Sequence, residues 1–125
     1  MASLASGAVE ILRTASPAAK VTATHVLAAA WRRGALEIGV ATPPDTPERP
    51  AKPELRRPGD MPRRSFGPKG RIALVHALAH IELNAVDLAW DIIARFTADD
   101  LPRAFYDDWV DVAVEEAEHY DALAA

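Results

Sequence analysis

Eight of the ten prolines in this 125-residue chain fall between Thr42 and Pro68, at Pro43, Pro44, Pro47, Pro50, Pro53, Pro58, Pro62 and Pro68. Each fixes φ near about −65° and removes a backbone donor, so the stretch can build neither a helix nor a central strand. Regular structure is thereby confined to its two sides. The chain divides into an N-terminal helical segment over residues 1–40, an extended proline-rich strap over 41–69, and a segment over 70–125 that must carry most of the fold.

Half of the residues are apolar, enough for one core, but they are mainly alanine and leucine with few aromatics and no regular alternation, which predicts an all-α fold. Ser16-Pro17 reads as an N-cap followed by proline at the first helical position. Ala18 to Arg33 then continues as an amphipathic helix with Gly34 as its stop, and a shorter helix fits Leu4 to Arg13. Beyond Gly70 two long helical stretches, about Arg71 to Phe96 and Pro102 to the end, are joined by Thr97 to Leu101. A joint this short makes an antiparallel hairpin.

The chain has no cysteine, which removes disulfides and thiolate metal sites and suits a reducing, cytoplasmic setting. Met1 to Lys20 has neither a basic cluster nor an apolar run of about 18 residues, so no export signal or membrane partner is expected. The net charge of −4 argues against nucleic acid as the default partner. Its distribution says more: the strap holds seven of the fourteen basic residues, whereas Gly70 to Ala125 holds twelve acids against Arg71, Arg95 and Arg103. Two readings follow: the strap lies across the acidic helices of its own fold, or it meets a phosphate-bearing partner.

Within the hairpin, Glu82 shares its helical face with Val75, Leu78, Ala79, Ala85, Val86 and Ala89, all apolar. Glu116 shares its face with Trp109, Val112, Ala113, His119, Tyr120 and Leu123, while Glu115, Glu118, Asp108 and Asp111 fall on the solvent side. Burying an unpaired carboxylate is expensive, so something cationic must meet these two. Glu116 and His119 stand at i and i+3, able to grip one metal ion, and Glu82 lies fourteen residues before Phe96 as Glu116 lies fourteen after Pro102. At 1.5 Å per residue both are about 21 Å from the turn, at one level. The competing reading is a buried Glu–His hydrogen bond or a Glu–Arg pair. His76 and His80 align with Asn84, Asp87 and Asp91 in a polar stripe that reads as a solvated face or a helix-packing polar contact, and His25 stands alone in an alanine-rich helix. Tyr106, Trp109 and Tyr120 read as packing residues, with lining of a metal pocket beside His119 as the alternative for Tyr120, and nothing matches a phosphate loop, a nucleophile elbow or a Ser/His/Asp set.

Several runs resemble the ferritin-like superfamily and, more narrowly, the N-terminal half of a poorly characterised family catalogued as domain of unknown function 455. They are Ser16 to Val21 leading to Ala28-Ala29-Ala30-Trp31, the strap with Arg63-Arg64, His76 to Leu83, and Phe105 to Trp109 through Glu115-Glu116-Ala117-Glu118-His119. The resemblance implies that Glu82, Glu116 and His119 are metal ligands in a dinuclear iron or manganese centre, with an oxygen-dependent oxidoreductase as the natural activity. Members of that family usually continue through a second helical pair with another Glu and another E-x-x-H, and Ala122 to Ala125 offers no helix stop, so a truncated product is expected. A second hairpin, from a missing C-terminal half or a homodimer mate, would then complete the bundle. Two alternatives stand beside this reading: a non-catalytic helical interaction module, and an iron-storage or ferroxidase oligomer.

Overall fold

The computed structural model describes residues 3–49 and 68–124, so most of the strap, residues 50–67, lies outside the described residues. Four helices follow in order: α1 (Leu4–Leu12), α2 (Pro17–Arg32), α3 (Pro68–Arg95) and α4 (Arg103–Ala124). The described residues form no strand; a single bridge joins Ser3 to Glu37. The all-α expectation therefore holds. One boundary moves: α3 starts at Pro68, ahead of the expected Arg71, because proline is tolerated in a first turn whose N–H groups have no helical acceptor.

The helix ends follow local chemistry. Ser3 and Ser6 cap α1 reciprocally, and Ser16 accepts from the Ala19 amide at the start of α2. At the end of α2, Gly34 adopts φ +75°; its amide donates to Trp31 O, and the Ala35 amide donates to Ala30 O. These two bonds satisfy carbonyls that the helix leaves open.

α3 and α4 run antiparallel, with the turn between them held by the Tyr106 hydroxyl donating to Phe96 O at 2.9 Å. α1 packs on α3 and α2 packs on α4, both against the half of the hairpin nearest the turn. α1 is buried on most sides through Leu4, Ala5, Ala8, Ile11 and Leu12, with Glu10 at the surface, which explains why so short a helix is so rich in apolar residues. Trp31, Trp90, Tyr106, Leu27, Val86 and Ile93 fill the space between the four helices.

Two features stitch α2 to α3. Buried Lys20 donates to Asp87 Oδ1 at 2.5 Å, and one turn further Trp90 Nε1 donates to Thr24 Oγ1 at 2.9 Å. Of the two readings of the α3 polar stripe, solvated or helix-packing, Asp87 takes the second: it is 2% exposed and belongs to the core. Its neighbours stay nearer the surface, where Asn84 accepts from Arg49 and Asp91 pairs with Arg95. By length and composition α3 could cross a membrane, with 28% of its most apolar window buried. Its polar residues Asn84, Asp87 and Asp91 nevertheless each find a protein partner.

The segment after α2 returns along the start of α1, where the Leu4 and Ala5 amides donate to Glu37 O and Ile38 O. Gly39, with φ +72°, closes this return, and a Cβ there would stand 2.5 Å from Ser3 Cβ and Oγ. Gly39→Ala is expected to cost about 1–2 kcal/mol for the left-handed backbone alone, and more for the collision with the α1 cap. Urea denaturation should show a lower midpoint at an unchanged slope.

Candidate metal centre

The equal heights of Glu82 and Glu116 are realised in the packed hairpin. His119 Nδ1 lies 3.5 Å from Glu82 Oε2 and 3.7 Å from Glu116 Oε2, and one donor atom from each of the three residues falls within 4.8 Å of the others. Among the described residues this is the group of histidine and carboxylate side chains that could jointly hold a metal ion.

Burial is graded across the cluster: the Glu82 and Glu116 side chains are 23% exposed and His119 is 59% exposed. One turn along the same faces, Val86 on α3 and Ala113 on α4 are fully buried, so the inner side of the cluster is apolar while its outer side opens at the imidazole. Glu82 Oε2 is itself shielded from solvent and accepts no hydrogen bond from any described residue. A shielded, unpartnered carboxylate oxygen is costly and marks a place where a partner belongs.

A hydrogen bond from imidazole to carboxylate would bring the heavy atoms to about 2.7–3.2 Å, a few tenths of an ångström inside both separations here. Ligand atoms bound at about 2.0–2.2 Å to one first-row metal ion stand roughly 3.0–3.5 Å apart, from the geometry of tetrahedral or octahedral coordination. The observed spacing lies between the two arrangements, and a contraction of a few tenths of an ångström reaches either a shared ion or a Glu–His hydrogen bond. Two carboxylates and one imidazole form an oxygen-rich set with one nitrogen, suited to iron or manganese.

The remaining sequence candidates separate from this cluster. His76 is exposed, His80 and His25 are half-buried, and none joins a ligand group among the described residues. Tyr106 is buried as expected, and burial together with the negative charges of Asp99 and Asp100 pushes its hydroxyl up. Tyr120 and Trp109 are partly buried against the core.

Two polar constellations were not legible in the sequence. The first is the Lys20–Asp87 pair, although one signal existed: Lys20 sits with Thr24, Leu27, Ala28 and Trp31 on the inner face of α2, a position that demands an acid opposite. The second joins α2 to α4, where Trp31 Nε1 donates to Asp107 Oδ1 at 2.8 Å, Arg32 pairs with Asp111 at 2.6 Å and Arg103 stacks 3.8 Å over the Trp31 ring. An open cleft is lined by these same residues and Val110. Its aspartates are already partnered, so it reads as an interhelical clasp.

Comparison with known proteins places the chain among relatives. A curated protein of Haemophilus influenzae, described as "Uncharacterized protein", is 44% identical over 80 residues, which cover 59% of this chain and 28% of that relative. The chain thus spans less than a third of that relative's length. No solved structure matches it. The sequence profile described as "Protein of unknown function (DUF455)" matches residues 13–125, and the chain belongs to that family.

Proposed function

We propose that Glu82, Glu116 and His119 hold an iron or manganese ion in a ferritin-like carboxylate site, and that the chain contributes this site to an oxygen-dependent oxidoreductase. The observation that supports the reading is the convergence of three donor groups from two helices around a shielded carboxylate oxygen with no hydrogen-bond partner among the described residues. A redox-active ion held there would supply electrons for chemistry with dioxygen. The chain's own residues define the setting. Glu82 and Glu116 offset the charge of a divalent ion, and His119 contributes nitrogen from the exposed side. Val86 and Ala113 keep water from the inner side and so strengthen the electrostatic grip. The likeness of the His76 to Leu83 and Glu115 to His119 runs to ferritin-like sequences supports the same assignment.

Metal analysis tests it. Protein purified from iron-supplemented cells is expected to carry near-stoichiometric metal in the wild type, and Glu116→Gln, which keeps the side-chain shape but loses a charged ligand, is expected to lose more than about nine-tenths of it, in line with a ligand worth well over tenfold in affinity. Equal trace metal in the two proteins would remove the reading.

A further inference from the structure

We infer that Arg49 is a latch: its guanidinium bridges Asn84 and the unpartnered oxygen of buried Asp87, and residues 45–49 seat on α3 and leave it as one unit while the helices stay folded. The inference is independent of the metal reading.

Asp87 is an incomplete site. Its Oδ1 accepts from Lys20, but its Oδ2 is shielded from solvent and accepts from no described residue, although a carboxylate has room for several donors. Asn84 stands three residues before Asp87 on the same face of α3, and Arg49 already donates to Asn84 Oδ1. A guanidinium carries five N–H donors in a fixed fork, of which that bond uses one. Burial raises the Asp87 carboxyl, and the charge of Arg49 joins Lys20 in opposing it. Among the described residues Arg49 is therefore the cation placed to serve the second oxygen.

The segment that carries Arg49 is seated mainly by charge. Pro43, Pro44 and Pro47 leave few amides to donate. Among the described residues its one backbone bond to a helix runs from the Glu48 amide to Leu12 O at 2.7 Å, satisfying a carbonyl that the end of α1 leaves open. Further back, Arg95, held first by its hydrogen bonds to Asp91, also feels the negative charge of Asp45. The spacings agree: four extended residues from Asp45 to Arg49 span about 12 Å, and seven helical residues from Asp91 back to Asn84 span about 10 Å. A proline-stiffened segment has little freedom to lose on seating, so a few contacts hold it and the loss of a few releases it.

Native-state hydrogen exchange of the full chain, read at the Glu48 amide, tests this together with a carbon-13 NMR titration of the Asp87 carboxyl. In the wild type the protection of Glu48 is expected to fall about threefold or more between about 0.05 and 0.5 M NaCl, because the seating charges are screened, while amides inside the four helices keep theirs. Arg49→Gln is expected to lose that protection at every salt concentration, to keep the helical circular dichroism of the wild type, and to raise the titration midpoint of Asp87, from which it removes a cation. Asn84→Ala is expected to keep most of the protection and to leave Asp87 unchanged, since Arg49 stays on the carboxylate. Equal losses of protection in the two variants, with Asp87 titrating alike in both, would reduce Arg49 to a surface contact of Asn84 and overturn the bridge. Glu48 protection that ignores salt or Arg49→Gln, or an Arg49→Gln chain that loses its helices, would overturn the latch.

Discussion

Lys20→Met is expected to destabilise the protein by about 3–5 kcal/mol, because it leaves the Asp87 carboxylate in the core without its cation. Much of a marginal domain's stability is of that size, so the variant should unfold at a much lower urea concentration. Asp87 is poorly placed to bear the loss. Its Oδ1 accepts from Lys20, and its Oδ2 is buried without a hydrogen-bond partner among the described residues. Burial already pushes the Asp87 carboxyl up from its usual value of 3.8, outweighing the hydrogen bond and charge of Lys20 and the charge of Arg49, which act downward. A carboxyl whose folded pKa lies above its unfolded one favours the fold below the unfolded value, and that contribution fades as pH rises through the folded value. Removing Lys20 takes away two of the influences that hold the pKa down, so the variant's Asp87 should take up a proton more readily still. The deficit of Lys20→Met should therefore be smaller at about pH 5 than at about pH 8. Adding Asp87→Leu should recover most of the loss, since an apolar pair of similar volume often replaces a buried ion pair without penalty. A deficit that is the same at both pH values, and that persists in the double variant, would show that Lys20 acts through packing of its methylene stem.

The fates of individual residues show what a one-dimensional reading reaches. Ser16, Pro17 and Gly34 mark the limits of α2 correctly because capping is chemistry between residues three to five apart. The common level of Glu82 and Glu116 was accessible for a related reason: helical rise is linear, and a five-residue joint leaves two helices only one way to lie side by side. Asp87 was only half legible. Periodicity grouped it with His80, Asn84 and Asp91 and left a solvated face and a helix-packing contact open; the choice is made by Lys20, sixty-seven positions earlier, on a helix whose placement no local pattern encodes. The role of α1 was hidden too, because nine apolar-rich residues fit a peripheral helix as well as the central one they form. The hairpin's need for neighbours was legible, whereas their identity was not: among the described residues α1 and α2 meet that need near the turn and leave Ile72, Leu74, Val75, Leu78 and Ile81 exposed. The clasp of Trp31, Arg103 and Asp107 spans seventy-six positions and had no signal in the sequence.

Glu82→Gln is expected to raise the melting temperature of the metal-free protein while abolishing the stabilisation that metal confers on the wild type. The two halves of this prediction come from one arrangement. In the absence of a cation, Glu82 and Glu116 present like charges within 4.8 Å beside an apolar inner side, and His119, at 59% exposed, compensates them from the wet side only. Neutralising one carboxylate relieves that repulsion by on the order of 1 kcal/mol at the effective dielectric of a partly exposed site. With metal present the order inverts. An ion at about a hundred times its dissociation constant stabilises the native chain by about 2.7 kcal/mol, because it binds the folded site and not the unfolded chain. For a domain of this size that is a rise in melting temperature of roughly 10 °C. Thermal melts of the wild type and Glu82→Gln, each with EDTA and with Mn2+, would therefore cross: the variant higher in EDTA, the wild type higher in Mn2+. A structural Glu–His pair requires the opposite pattern, in which Glu82→Gln lowers stability in both conditions and manganese changes neither curve. The crossing separates the two readings because a residue kept for a ligand weakens the empty fold that carries it, whereas a residue kept for packing strengthens it.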